Sequence, residues 1–170
     1  MKCFFLFLCL AIFLIFPQPF LAAEVEVADS EMMPPALYFE KFERLDSPKG
    51  ANLKEFYGGN MAIAIFGPDC IWCKKQHQVL KALKNECLNM TTVMMGIGSE
   101  KSKLNKDLRR SQNTFPAFRI NNNLLNALEN SNVPRLLVFD HKGRATLNAS
   151  GFISEDNLKK LLNGQLYQKC

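Results

Sequence analysis

The stretch FGPDCIWCKKQH, residues 66–77, places Cys70 and Cys73 two residues apart, just before an expected helix. Two cysteines at this spacing fit a redox-active pair, half of a metal site or two structural thiols. The preceding run MAIAIF, residues 61–66, is apolar throughout and has the length of a strand. Such a run predicts a strand buried on both faces of a sheet. We therefore expect the cysteine pair at a strand-to-helix junction.

The two cysteines are expected to differ chemically at such a junction. Cys70 falls at or next to the first helical position, where backbone N–H groups lack partners and the helix dipole is positive. This environment lowers the pKa of the Cys70 thiol, and the charges of Lys74 and Lys75 act in the same direction. Cys73 lies one turn into the helix and is expected to be shielded. We predict that Cys70 is the attacking thiolate and that Cys73 resolves the mixed disulfide.

Other interpretations of the pair are weaker. Cys70, Cys73, His77 and Cys87 could be drawn as four metal ligands, but they would be spread along one helix that must also bury a face. Haem attachment is excluded because Lys74, and not histidine, follows Cys73. A purely structural disulfide, or two inert thiols, remains as an alternative. We predict no metal and no cofactor, and we expect His77 to be a solvated helix residue.

The remaining elements predict an α/β fold. Strand-like runs occupy residues 91–97, 115–120, 135–140 and 145–152, and helical patterns occupy residues 36–45, 70–88, 101–111, 122–132 and 155–166. The helix after the cysteine pair is expected to bury a side formed by Ile71, Leu80 and Leu83. Helices between the early strands imply a parallel start, and the late hairpin adds an antiparallel half. The prediction is a mixed central sheet flanked by helices on both faces.

The amino terminus has the layout of a secretory signal. Residues 1–23 contain one lysine, an apolar run, two prolines and then Ala22 and Ala23, after which we expect cleavage. An uncleaved membrane anchor is the alternative, because residues 3–22 are about long enough to span a bilayer. Export to the periplasm would put the remaining cysteines where disulfides persist. We expect residues 24–48 to be an extension with a flexible start and a short helix, and residues 49–170 to form the domain.

Composition argues for a single globular domain. The chain has 170 residues, of which 48% are hydrophobic and 22% charged, and a formal net charge of +5. Its lysines and arginines are scattered along the sequence instead of forming a stripe or block. We therefore expect no nucleic-acid partner.

A second segment, VPRLLVFDHKGR at residues 133–144, completes a resemblance to a known family. Together with residues 66–77 it resembles the thioredoxin superfamily, and in particular exported TlpA-like, TrbB-like and Dsb-type proteins, over about residues 50–163. The resemblance implies a thioredoxin-like fold and a cis peptide between Val133 and Pro134, packed against the cysteine pair. It also implies that the Val133 backbone offers hydrogen bonds to a substrate segment.

The sequence departs from cytoplasmic thioredoxin at two points. The dipeptide between the cysteines is Ile71-Trp72 and not Gly-Pro, and Ala64 stands where thioredoxin carries a buried acid. The resemblance therefore does not supply a thioredoxin-style proton relay. Trp72 is either a substrate-contacting aromatic or a surface residue without a role.

Two functions follow. The first is an exported thiol:disulfide oxidoreductase that oxidises, reduces or reshuffles cysteines in other exported proteins, together with a membrane or soluble redox partner that the sequence does not identify. The alternative is a thioredoxin-fold chaperone or assembly factor whose cysteine pair is structural.

The expected topology also allows a second disulfide, between Cys87 and Cys170. The helix after Cys70 and the closing helix are expected on the same face of the sheet, so Cys87 and Cys170 could meet at the far edge. The alternative is a buried thiol at Cys87 and an unpaired tail at Cys170.

Overall fold

A computed structural model of the protein describes residues 24–26, 35–48, 50–86, 89–98, 100–128 and 132–162. The strands are β1 (Glu24–Glu26), β2 (Glu43–Arg44), β3 (Met61–Phe66), β4 (Thr91–Gly96), β5 (Ala117–Arg119), β6 (Arg135–Phe139) and β7 (Ala145–Ser150). The helices are α1 (Pro35–Phe39), α2 (Ile71–Asn85), α3 (Lys101–Arg110), α4 (Asn122–Ala127) and α5 (Glu155–Leu162), with a 3-10 turn at Lys54–Phe56. The predicted signal segment, Cys87 and Cys170 lie outside the described residues.

Within the described ranges, seven strands form one mixed sheet in the order β1-β7-β6-β3-β4-β5-β2. Strands β3, β4 and β5 run parallel to one another, and β6 pairs antiparallel with both β3 and β7. All six residues of β3 are buried, as expected for a central strand whose sequence is apolar throughout. The predicted parallel start and late antiparallel hairpin are both confirmed.

Alternate residues of β3 point to two different cores. Ala62 and Ala64 contribute to a cluster with residues of α2, α3 and α5, and these small side chains leave room for the helices. Ile63 and Ile65 contribute to a second cluster on the opposite face, with residues from the segments around α1 and α4. The period of two in a strand produces this division. Helices therefore cover both faces, and α2 and α5 share one of them, as predicted.

The helix predicted over residues 36–45 is wrong beyond Phe39. Residues 43–44 instead form β2, in which Glu43 pairs with Arg119 of β5. Phe42 and Leu45 belong to two different cores, on opposite faces of the sheet. A helix lying on one face could not bury both side chains in this way. The open edge of β5 offers unpaired backbone groups that an extended chain can use.

The start of the extension also differs from the prediction of a flexible lead-in. Residues 24–26 form β1, which pairs antiparallel with β7 at the other edge of the sheet. Both segments of the predicted extension therefore add strands to the same sheet as the rest of the chain. None of the described helices has the length and apolar character needed to cross a membrane.

Helix α2 buries Leu80 and Leu83 as predicted, but not Ile71. Its buried residues are Cys73, Gln76, His77, Leu80 and Leu83, which recur every three or four positions. Ile71 lies two positions before Cys73 and so falls off this stripe, and it is 68% exposed.

Helix α4 is shorter than predicted, since it ends at Ala127 and not at residue 132. Arg135 Nη1 donates a hydrogen bond of 2.7 Å to the Leu128 carbonyl oxygen just beyond its end. This bond satisfies a helix-terminal carbonyl and ties α4 to the first residue of β6.

Candidate functional site

The turn between β3 and α2 is held by the neighbouring helix α3. Asp69 has a φ of 56°, a left-handed conformation that residues other than glycine seldom adopt. Its backbone N–H donates a hydrogen bond of 2.6 Å to Asp107 Oδ2. The turn that leads into the cysteine pair is therefore fixed by a carboxylate from α3.

Cys70 and Cys73 form a disulfide at the start of α2, with their Cα atoms 5.2 Å apart. Cys70 is the N-cap residue, and its Sγ accepts the Cys73 N–H at 3.1 Å. A sulfur there takes the place of the oxygen that usually caps a helix. Cys70 is partly buried, whereas Cys73 is only 6% exposed. The two cysteines therefore differ in exposure, and the Cys70 sulfur contacts the helix terminus.

The outer side of the disulfide carries an apolar surface, which we call the aromatic rim and define as Ile71, Trp72 and Phe152. Trp72 is 53% exposed, and its ring centroid lies 5.5 Å from that of Phe152. Lys75 Nζ lies 4.2 Å from the centroid of the Trp72 ring, within the range of a cation–π contact. The rim therefore presents apolar area and one positive charge next to Cys70.

The two lysines predicted to act on Cys70 lie in different places. Lys75 sits over Trp72 on the outer side. Lys74 Nζ lies 3.7 Å from Asp107 Oδ1, and Arg110 Nη1 lies 3.8 Å from the same oxygen. The charge of Lys74 is therefore partly offset by a carboxylate, so the helix terminus is the more direct source of positive potential at Cys70.

The segment Val133-Pro134 lies beside the turn that carries the cysteines. The peptide bond between these two residues is cis, and Pro134 is buried. Val133 packs against Gly67 so closely that a Cβ added to Gly67 would lie 3.3 Å from Val133 Cγ2. The Gly151 N–H donates to the Pro134 carbonyl oxygen at 2.8 Å. These contacts place the segment at the same edge of the sheet as the disulfide.

Beside the disulfide lies a small, partly open pocket that we call the inner cavity. It has a volume of about 20 Å³, the size of one water molecule. Its polar lining consists of Cys70, Cys73, Lys74, His77, Asp107 and Ser111.

His77 is buried, and the expectation that it is solvated is wrong. It is 2% exposed because it belongs to the buried stripe of α2, one turn beyond Cys73. Its Nε2 lies 2.9 Å from Asn113 Oδ1, and its ring packs edge-on against Phe115. Burial lowers the pKa of His77 below its ordinary value; the hydrogen bond to Asn113 opposes this, and the charge of Lys81 adds to it.

Asp107 is a buried carboxylate that sequence reasoning missed. It is 6% exposed, although it lies on a helix that the sequence shows as polar. Its spacing from Leu104, three residues earlier, would have placed it on the buried side of α3. Residue 64 is an alanine as noted above, and α3 supplies a carboxylate to the inner cavity instead.

The described residues contain no group of three or more histidine, cysteine, aspartate or glutamate side chains that could hold a metal ion. Of the four residues that could be drawn as ligands, Cys70 and Cys73 are joined to each other and His77 contacts Asn113. Cys87 lies outside the described residues.

No protein-family model matches the sequence. No curated protein matches it either.

Solved structures do share the fold. DsbF of Mycobacterium tuberculosis superposes with a TM-score of 0.64 at 16% identity, covering 75% of this chain and 95% of that one. A secreted disulfide oxidoreductase of the same organism gives a TM-score of 0.59 at 15% identity, covering 75% and 96%. The thioredoxin domain of a thiol-disulfide oxidoreductase from Bacteroides vulgatus superposes with a TM-score of 0.64 at 13% identity, covering 84% of this chain and 100% of that one.

These likenesses establish the fold. The chain has a thioredoxin-like fold, and the prediction of that fold class is confirmed. Of these three solved structures, one is described as a disulfide oxidoreductase and one as the thioredoxin domain of a thiol-disulfide oxidoreductase. This chain carries a cysteine pair at disulfide distance.

Proposed function

We propose that this protein is an exported thiol:disulfide oxidoreductase that exchanges disulfides with cysteines of other exported proteins through Cys70 and Cys73. The observation that carries the proposal is the asymmetry of the pair. Cys70 is partly exposed and its sulfur accepts a backbone N–H at the amino terminus of α2, whereas Cys73 is buried. A structural disulfide has no need of this division between an accessible and a shielded sulfur.

The chemistry is two successive thiol-disulfide exchanges. In the oxidising direction, a client thiolate attacks the Cys70 sulfur, the bond to Cys73 breaks and Cys73 leaves with the electron pair. A second client thiolate then attacks the client sulfur of this mixed disulfide and releases Cys70 as a thiolate. The client gains a disulfide, and the pair is left as two thiols. Reduction of a client is the reverse sequence.

The helix terminus contributes to both directions. The N–H groups and dipole at the start of α2 stabilise negative charge on the Cys70 sulfur. Cys70 is therefore a good nucleophile when it attacks and a good leaving group when it is displaced. Lys74 and Lys75 add weaker support, because Asp107 and the Trp72 ring engage them.

Client binding is assigned to the surface around Cys70. The aromatic rim offers apolar contact area for an unfolded client segment, with Trp72 as its largest exposed side chain. Val133 lies against Gly67 in the turn that leads to Cys70, which supports a role for its backbone in pairing with an extended client chain. Trp72, Val133 and Pro134 are the client-binding residues of this proposal.

Export is supported by the signal-like pattern of residues 1–23 and by the description of one structural relative as secreted. A periplasmic location keeps such a pair in contact with cysteine-containing exported clients. A membrane-bound or soluble partner would restore the oxidation state of the pair after each cycle.

The direct test is catalysis of insulin reduction and of the refolding of scrambled ribonuclease. We expect the native protein to accelerate at least one reaction and Cys70→Ser to abolish the effect. Cys73→Ser is the matched control, because it keeps the attacking sulfur and should accumulate mixed disulfides with clients. Lack of activity in the native protein, with client aggregation suppressed equally by native protein and Cys70→Ser, would favour the chaperone alternative and overturn the proposal.

A further inference from the structure

The hydrogen-bond pattern around Asn113 determines which nitrogen of His77 carries a proton. Asn113 Nδ2 donates to the Phe115 carbonyl oxygen at 2.6 Å, and Asn113 Oδ1 accepts the Phe115 N–H at 3.2 Å. These two bonds fix the orientation of the amide, so the atom facing His77 Nε2 at 2.9 Å is an acceptor. His77 Nε2 is therefore the donor, and a neutral ring has its lone pair at Nδ1.

His77 Nδ1 is buried and has no hydrogen-bond partner among the described residues. A buried acceptor without a partner is costly to keep. His77 lies four residues after Cys73, so the two side chains are neighbours on the same face of α2. Both line the inner cavity, together with Cys70. The ring that carries the unpaired nitrogen thus lines the same pocket as the shielded cysteine.

We propose that His77 is the general base for Cys73: its Nδ1 accepts the Cys73 thiol proton when the reduced protein resolves a mixed disulfide. The inference rests on the function proposed above. The Cys73 thiolate attacks the Cys70 sulfur, the bond between Cys70 and the client sulfur breaks, and the client thiolate leaves with the electron pair. The proton on His77 then passes to the departing thiolate or to solvent. Asn113 positions the ring by holding its Nε2–H.

Asp107 is less suited to this role. Its Oδ2 accepts the Asp69 N–H. Its Oδ1 has no hydrogen-bond partner among the described residues but lies 3.7 Å from Lys74 Nζ and 3.8 Å from Arg110 Nη1, so both oxygens face other groups. The charged and titratable groups around His77 are Lys74 and Lys81 on its own helix, Asp107 on α3, and the two cysteines. Burial keeps the imidazole neutral, which is the form that accepts a proton.

The test separates the two exchange steps with a symmetrical aromatic disulfide whose thiolate product absorbs visible light. One equivalent reacting with the reduced protein should release product in two phases: attack by Cys70, then resolution by Cys73. We expect His77→Gln, which keeps a donor for Asn113 but has no base, to slow the second phase about 100-fold at neutral pH. In this variant the rate of the second phase should rise with pH in proportion to the fraction of Cys73 present as thiolate. In the native protein the rate of the second phase should level off above the pKa of His77.

The outcomes distinguish the inference from the proposed function. Absence of the first phase in the native protein would mean that the oxidoreductase function itself fails. A normal first phase with a second phase unchanged by His77→Gln, in both rate and pH profile, would overturn the role of His77 alone. Should the variant fail to fold, nitrogen NMR of the native His77 ring still decides: a proton on Nε2 supports the proposal, and a proton on Nδ1 overturns it.

Discussion

The two sides of the Cys70–Cys73 disulfide are built in opposite ways. On the outer side, Cys70 is partly accessible and lies next to Ile71 and Trp72, which are 68% and 53% exposed. On the inner side, Cys73 is backed by the buried His77 and Asp107. The geometry of one helical turn separates the two environments, because the N-cap residue projects at the helix end and the residue three positions later faces the core. A four-residue motif can thus offer one sulfur to clients and keep the other for resolution.

The largest effect on stability is expected from a change in the core that supports the inner side of the disulfide. Leu80 lies on the buried stripe of α2 and has 0% exposure. We expect Leu80→Ala to lower the free energy of unfolding by about 2–5 kcal/mol, since it leaves a cavity. Leu161→Ala is the matched control, because Leu161 is 42% exposed on α5. Urea denaturation of both variants checks this, and an equal loss in both would contradict the assigned packing.

The carboxylate that joins the turn to α3 should have the next largest effect. Asp107→Asn weakens the hydrogen bond from the Asp69 N–H and removes the charge facing Lys74 and Arg110. We expect a loss of about 1.5–3 kcal/mol in the free energy of unfolding, the range for hydrogen bonds to charged groups. The Asp69 amide should also exchange its hydrogen faster. Unchanged exchange at Asp69 would show that Asp107 does not hold the turn.

His77 should make stability depend on pH on the inner side. Its pKa in the folded protein lies below the ordinary value of 6.5, so the unfolded chain binds this proton more readily. The contribution of neutral His77 is therefore fully present above pH 6.5 and is lost as the pH falls from 6.5 through the folded-state pKa. Denaturation of the oxidised protein at several pH values measures this. His77→Gln should flatten the slope in that window, and an identical slope in the variant would contradict the assignment.

Trp72→Ala should have the smallest effect on stability and a clear effect on clients. The ring contacts Phe152 and Lys75 at the surface, so we expect the free energy of unfolding to change by less than about 1 kcal/mol. Turnover of protein disulfides should fall, while reaction with a small aromatic disulfide should be kept. Equal loss with both substrates would show that Trp72 affects the cysteines and not client binding.

The place of Cys70 and the shielding of Cys73 could be predicted from the sequence, whereas the exposure of Ile71 and the burial of His77 and Asp107 were not. Residues 61–66 and the cysteine spacing are local signals, and they were enough to place Cys70 at the start of a helix. His77 and Asp107 are polar residues on helices, and their burial depends on how α2, α3 and the segment at Asn113 pack together. The spacing of Asp107 from Leu104 indicates the buried side of α3, but no short pattern shows that α2 and α3 bring His77 and Asp107 to the same pocket.

The error at residues 36–45 has a similar cause. The spacing of Tyr38, Phe42 and Leu45 fits one helix. The chain is instead extended at the sheet edge, and Phe42 and Leu45 pack into different cores on opposite faces of the sheet. Only the open edge of β5 explains why the segment is extended there. Hydrophobic spacing alone cannot identify that edge.

The central claim is that Cys70 is the reactive sulfur and Cys73 the shielded one. Its most direct test is the alkylation of the reduced, folded protein by iodoacetamide at mildly acidic pH, with peptide mapping by mass spectrometry over time. The account predicts that Cys70 is labelled well ahead of Cys73, because only an accessible thiolate reacts. Equal rates of labelling, or faster labelling of Cys73, would contradict it.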